Sequence, residues 1–168
     1  MELTEDSFQA LNRGFMSMRV HRMKLAAADP INLQLPDQRL PESLSSFIGI
    51  RCLPLLFLSS VRAASGNSRS DGRSNPDRWI LLDGEWKRLE LKGTGRHGFI
   101  SVTKTDHLAD YVVWVDFAPV IEGRPLVRSY LFDGEFFRGE KARLRLGEVE
   151  SQATRVAYFS PRTLRVWG

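Results

Sequence analysis

The chain has 168 residues, 42% hydrophobic and 26% charged, with a formal net charge of +4 and a pI near 9.6. That length closes a hydrophobic core unaided, and the single cysteine, Cys52, excludes a disulfide framework or a cysteine zinc site. Mild positive charge permits a nucleic-acid partner without demanding one.

The start of the chain, MELTEDSFQ, is acidic and has no secretory pattern, so a cytoplasmic protein is expected. Residues 5–28 read as a helix. Phe8, Leu11, Phe15, Met18, Val20 and Met23 fall near helical spacing, and Arg13, Arg19, Arg22 and Lys24 read as its solvated face. Asp29-Pro30 ends it, and residues 31–41 read as a proline-punctuated connector. A second helix is expected from Pro41-Glu42 to about Cys52. The following PLLFLSSVR suits a buried strand or a helix on its pattern alone. The apolar run over 45–61 is too short for a membrane span and is broken by Arg51 and Pro54, so it reads as core, with Cys52 an inert thiol within it.

Residues 63–75, AASGNSRSDGRSN, read as a flexible loop. The chain then turns to strands. RWILL and EWKRLELKG flank Asp83-Gly84, a two-residue hairpin signal. HGFISVT reads as a third strand, KTDHLA as two helical turns at most, and DYVVWVDF as a buried strand. LVRSYLFDGEFFRG suggests a second hairpin about Asp133-Gly134, and residues 140–168 are expected to be largely β. The sequence contains no internal repeat.

Two motifs compete for the chemistry. Gly93, Gly95 and Gly98 have the spacing of a nucleotide-binding glycine loop. A dinucleotide fingerprint needs a helix next, and Phe-Ile-Ser-Val follows instead. A kinase loop would need HRD and DFG elements that the chain lacks. These glycines therefore read as a sharp turn between strands. His21, His97 and His107 have no metal-binding spacing, and His97 reads as an exposed turn residue.

The second motif comes from the hairpin. A two-residue turn at Asp83-Gly84 sets Leu82 against Glu85, Leu81 against Trp86 and Trp79 against Arg88. Continuing that register places Asp77 across from Glu90, with Cβ atoms about 5 Å apart. Lys92, two residues on, points to the same face. Trp79 and Trp86 share this face and read as core, and Asp83 is explained by the turn. Two neighbouring carboxylates repel when ionised, and a hard divalent cation relieves that repulsion. Such an ion with a lysine beside it suits phosphodiester hydrolysis. The plain alternative is a cross-strand Glu and Lys on a solvated sheet face.

Pro76-Asp77, twelve intervening residues and Glu90-Leu91-Lys92 resemble the signature of the PD-(D/E)XK, or restriction-endonuclease-like, nucleases. The order that follows, FISVT, KTDHLA and DYVVWVDF, is also similar to that core. The resemblance covers residues 76–117, roughly a quarter of the chain, and extends to the helix at 41–52. It implies an α/β (α+β) fold with a central mixed β-sheet and flanking helices. Length makes a single domain over 1–168 the simplest expectation, with an N-terminal helical segment and connector (1–40), a nuclease core (41–120) and a β-rich extension (121–168). Asp77, Glu90 and the Leu91 backbone carbonyl would bind Mg²⁺ or Mn²⁺, Lys92 would assist the attacking water, and Glu42 is the candidate additional acid. The helix after the third strand is shorter than the family's usual one.

Arg62, Arg69, Arg73, Arg96 and Lys104 flank the motif and are candidate nucleic-acid contacts, with solvated surface charge as the plain alternative for each. The leading expectation is a Mg²⁺-dependent DNA endonuclease, RNA not excluded, that acts alone or as a homodimer and has no membrane partner. The alternatives are a non-catalytic nucleic-acid-binding or assembly protein of the same fold, and an interaction protein in which the carboxylate pair is accidental.

Overall fold

The computed structural model describes residues 4–28, 41–69, 75–95, 98–104, 106–138 and 143–168. The expected connector at 31–40 and the Asp29-Pro30 helix stop lie outside them.

Helix α1 spans Glu5–Ala28. Thr4 Oγ1 accepts the Ser7 N–H at 3.2 Å, and Glu5 and Asp6 lie in the first turn, where the helix dipole favours negative charge. Phe8 and Phe15 are buried, while Met18 and Val20 are exposed, contrary to the helical-face expectation. In the N-terminal half of α1 the Phe8 ring stacks on Phe47.

Helix α2 spans Glu42–Phe57 and runs past Cys52 through Pro54. The open choice for PLLFLSSVR thus resolves as helix as far as Phe57. Leu53 and Leu56 continue the buried stripe of Leu44, Ile48 and Cys52, and each such burial contributes about 1.5–3 kcal/mol. Leu58, at φ 54°, ends the helix by donating its N–H to the Pro54 carbonyl. Burial pushes the Cys52 thiol up to about 11, consistent with an inert core residue.

A seven-stranded mixed sheet forms the centre. Its strands are β1 (Arg62–Ser65), β2 (Arg78–Leu82), β3 (Glu85–Thr94), β5 (Tyr111–Asp116), β6 (Val127–Asp133), β8 (Arg155–Phe159) and β9 (Val166–Trp167), in that spatial order. β3 and β5 are parallel, and every other neighbouring pair is antiparallel. Two short strands, β4 (Phe99–Ser101) and β7 (Arg143–Arg145), make a separate antiparallel ribbon. Two short helices, α3 (Ala118–Ile121) and α4 (Leu146–Val149), complete a mixed α/β fold.

The sheet has a different cover on each face. Helices α1 and α2 bury Leu89, Leu91, Val113 and Val115, and Gly49 lets α2 approach Leu91 closely. On the other face, Val112, Trp114, Tyr130 and Phe132 pack against Ile100, Leu144 and Leu146 from the ribbon and α4. β5 is apolar toward both layers, which suits a central strand.

Three local expectations need correction. The segment read as a loop from residue 63 begins as strand β1, because Arg62–Ser65 finds an open partner edge on β2. Residues 70–74 of that segment lie outside the described residues. FISVT contributes three residues to the ribbon and none to the main sheet, since Ile100 is needed to cover Trp114's layer. Within KTDHLA, expected to hold two helical turns at most, Asp106–Leu108 forms one 3₁₀ turn, in keeping with that expectation. The expected hairpin at Asp133-Gly134 is a 3₁₀ turn over Gly134–Phe137. There Gly134 is used for close approach: a methyl group on it would stand 1.9 Å from the Ala109 carbonyl oxygen. The C-terminal part contains β7, β8 and β9 but also α4 and a 3₁₀ turn over Glu150–Gln152. Among the described residues, no helix is long and apolar enough to cross a membrane.

Candidate functional site

The β2–β3 hairpin has the register expected from its turn: Leu82 opposes Glu85, Leu81 opposes Trp86 and Trp79 opposes Arg88. Asp83 and Gly84 both adopt positive φ, 50° and 82°, as a tight two-residue hairpin turn requires. Pairing ends at Arg78 and Leu89. One step further, the strands part and Asp77 takes the place of a ladder partner. Its Oδ2 accepts the Leu91 N–H at 2.8 Å. This bond alone is a structural reason for an acid at position 77.

Alternation along β3 divides its residues between the two layers. Leu89 and Leu91 face α2, while Arg88, Glu90 and Lys92 face the side of Val112 and Trp114, their neighbours on β5. Glu90 is 3% exposed, and among the described residues its Oε1 has no hydrogen-bond partner. Burial, followed by the charge of Asp77 and a hydrogen bond with it, pushes the Glu90 carboxyl up to about 8. Lys92 opposes that rise and Asp106 adds to it.

Lys92 is committed elsewhere. Its Nζ lies 2.6 Å from Oδ1 of Asp106, whose side chain is 1% exposed. Asp106 Oδ2 accepts the Thr103 N–H at 2.6 Å and the Thr103 hydroxyl at 3.0 Å, which fixes the carboxylate from its own turn. The sequence reading passed over Asp106. The signal was present but faint: a Thr-x-x-Asp pattern in a polar stretch beyond the lysine strand.

A cleft of ≈ 300 Å³ opens where β2 and β3 part, lined by Glu42, Ser43, Ser46, Asp77, Arg78 and Leu91. Glu42, in the first turn of α2, therefore shares a cleft with Asp77, while Glu90 and Lys92 belong to the opposite layer. Arg78 was also missed from sequence. It donates to the Asp77 carbonyl at 2.8 Å and to Ser46 Oγ at 3.2 Å, so a cation stands at the cleft wall.

The candidate phosphate-binding residues scatter. Arg62 opposes Leu81, four residues along β2 from Asp77, or roughly 13 Å at strand rise. Arg69 is exposed, its guanidinium carbon 4.9 Å from the Trp86 ring centroid and 6.0 Å from that of Trp79. Trp79 is buried and donates its indole N–H to the Gly66 carbonyl at 3.1 Å, consistent with a core role, while Trp86 is half-buried. Lys104 is exposed beside the Asp106 turn. Arg73, Arg96 and His97 lie outside the described residues. Gly98 has φ 59° and donates to the Gly95 carbonyl, as expected for a turn between strands.

Among the described residues, no three His, Cys, Asp or Glu side chains form a ready metal cage. Mg²⁺ is commonly held by only one or two carboxylates, with waters and substrate phosphates completing its shell. The Asp77–Glu90 pair meets that smaller requirement. A buried carboxylate oxygen without a partner, next to a second carboxylate, is the arrangement a hard cation would satisfy. No family model, curated protein or solved structure matches this chain.

Proposed function

We propose that this protein hydrolyses phosphodiester bonds of DNA with a divalent cation, as a nuclease of the restriction-endonuclease-like, PD-(D/E)XK kind. One observation carries the reading: buried Glu90, with its unpartnered Oε1, stands beside Asp77 at the point where β2 and β3 part. A carboxyl raised by burial, and further by a second carboxyl beside it, is costly for a fold to keep, and such groups cluster at functional sites.

In this reading Asp77, Glu90 and the Leu91 carbonyl hold Mg²⁺ or Mn²⁺, with Glu42 facing the same cleft as Asp77. Such an ion, when bound, would supply Lewis-acid polarisation of the phosphodiester and a lower pKa for a bound water. The protein's own groups do the rest. Glu90 gives up its proton so that both carboxylates can ligate. Lys92 keeps its ammonium at a fixed place against Asp106, where it orients the water or offsets charge developing on the phosphoryl oxygens. Arg78, braced on Ser46, offers a guanidinium to a phosphate entering the cleft.

A second reading has its own support. The Lys92–Asp106 ion pair engages the ammonium that hydrolysis would use, which suits a non-catalytic nucleic-acid-binding protein of the same fold. Incubation with supercoiled plasmid and Mg²⁺ or Mn²⁺ separates the two. The hydrolytic reading expects nicked or linear product that a chelator suppresses. Intact plasmid under saturating protein and metal would favour the second reading.

A further inference from the structure

We propose that the outward face of the β4–β7 ribbon is a contact surface for the phosphodiester backbone of a nucleic acid. In this ribbon Phe99 opposes Arg145, Ile100 opposes Leu144 and Ser101 opposes Arg143. Alternation sends Ile100 and Leu144, each 5% exposed, into the core layer. The outer face carries Phe99, Ser101, Arg143 and Arg145, all exposed. It is not a face that the fold requires for its own packing.

Both arginines gather on one ring. The guanidinium carbon of Arg143 is 4.3 Å from the Phe99 ring centroid, and that of Arg145 is 5.6 Å. Among the described residues, neither guanidinium pairs with a carboxylate. An arginine held against an aromatic ring loses side-chain freedom while its in-plane N–H groups remain available to phosphate oxygens. Two such forks beside a 39% exposed phenyl ring combine charge for a backbone with an apolar surface for a base.

Charge complementarity and the size of the apolar patch name the occupant. The chain carries +4 overall, which favours a polyanion. A single exposed Phe offers too little apolar area to enter a lipid surface. The ribbon also lies close to the candidate site in the chain: β3, which bears Glu90 and Lys92, ends at Thr94, and β4 starts at Phe99. The Leu146 N–H bonds the Gly98 carbonyl at 2.6 Å, fixing the start of β4 to the end of β7. The proposal shares its class of polymer with the hydrolytic reading, but it concerns binding alone.

The test is fluorescence anisotropy of labelled single-stranded and duplex oligonucleotides, in chelator, over a range of salt. Working in chelator reads binding without hydrolysis, so a failed cleavage assay leaves this result standing. Wild type is expected to bind with an affinity that falls as salt rises. Arg143→Ala/Arg145→Ala should weaken binding and reduce the slope of log K against log salt by about 1.8 on duplex. Arg143→Lys/Arg145→Lys should keep the slope at lower affinity, and Phe99→Ala should weaken single-strand binding by roughly tenfold. All these side chains are exposed, so thermal midpoints should stay near wild type. Unchanged affinity and slope in the double alanine variant would overturn the proposal. So would an absence of oligonucleotide binding by wild type, or capture of anionic phospholipid vesicles instead.

Discussion

The Lys92 ammonium lies 2.6 Å from Asp106, a carboxylate that is 1% exposed and is anchored through its other oxygen to both donors of Thr103. Removing one partner of such a pair leaves the other charge uncompensated. Asp106→Asn should destabilise the fold by about 2 kcal/mol, because one amide oxygen cannot serve Lys92 and Thr103 together. Lys92→Met/Asp106→Asn should cost less than the sum of the single changes, with a coupling of about 1–2 kcal/mol. Urea unfolding of the four proteins checks this, and strict additivity would mean that the ion pair contributes nothing.

Glu90 predicts an unusual pH dependence. Burial, with Asp77 next in importance, pushes its carboxyl up to about 8, against an ordinary value of 4.5. Between those values the folded chain holds a proton that the unfolded chain has released. Stability from this group is therefore fully present below pH 4.5 and is lost as pH rises through about 8. Metal-free wild type should lose stability across that window relative to Glu90→Gln, whose profile should lack this component. Denaturation midpoints at pH 5, 7 and 9 decide the matter. Parallel profiles for the two proteins would place the Glu90 titration elsewhere.

Because both carboxylates must be ionised to hold a cation, metal and pH are linked. At pH 8.5, Mg²⁺ or Mn²⁺ at ten times its dissociation constant should stabilise the fold by about 1.4 kcal/mol, a rise of about 3–6 °C in Tm. The shift should shrink at pH 6 and vanish in Glu90→Ala. Thermal scans with and without the ion provide the measurement. A shift that survives Glu90→Ala would put the ion at another site.

Gly66 packs against the backbone that leads into Asp77. A methyl group there would stand 1.7 Å from the Pro76 carbonyl oxygen, one residue before Asp77. The Gly66 carbonyl also accepts the Trp79 indole N–H. Gly66→Ala should cost about 3 kcal/mol or more, since backbone must move on both sides. Gly84→Ala, at φ 82° but in open space, should cost only about 1 kcal/mol. Chemical denaturation of the two variants compares them directly, and equal losses would contradict the packing argument.

The legible parts of this chain were those governed by local rules. Asp83-Gly84 names its own turn, and the turn fixes which residues of β2 and β3 face each other. Period-two alternation then puts Glu90 and Lys92 on one face, and helical spacing finds α1 and the start of α2. The illegible parts depended on partners distant in sequence. Ala63-Ala64 has no strand pattern until β2 offers an edge. Asp133-Gly134 looks like a hairpin turn until the backbone at Ala109 claims the space beside Gly134. The pattern of PLLFLSSVR suited helix or strand equally until burial of Leu53 and Leu56 carried α2 through Pro54 to Phe57. Asp106 and Arg78 acquire meaning only when the folded chain brings Lys92 and Ser46 within reach.

The most direct test of the central claim is single-turnover cleavage of supercoiled plasmid and labelled single strands with Mg²⁺ or Mn²⁺, comparing wild type, Glu90→Ala and Lys92→Ala. The account predicts cleavage by wild type that each substitution reduces at least a hundredfold, on the scale of removing a preorganised electrostatic group. Cleavage that persists in both variants, or none by wild type while the DNA remains bound, would contradict it.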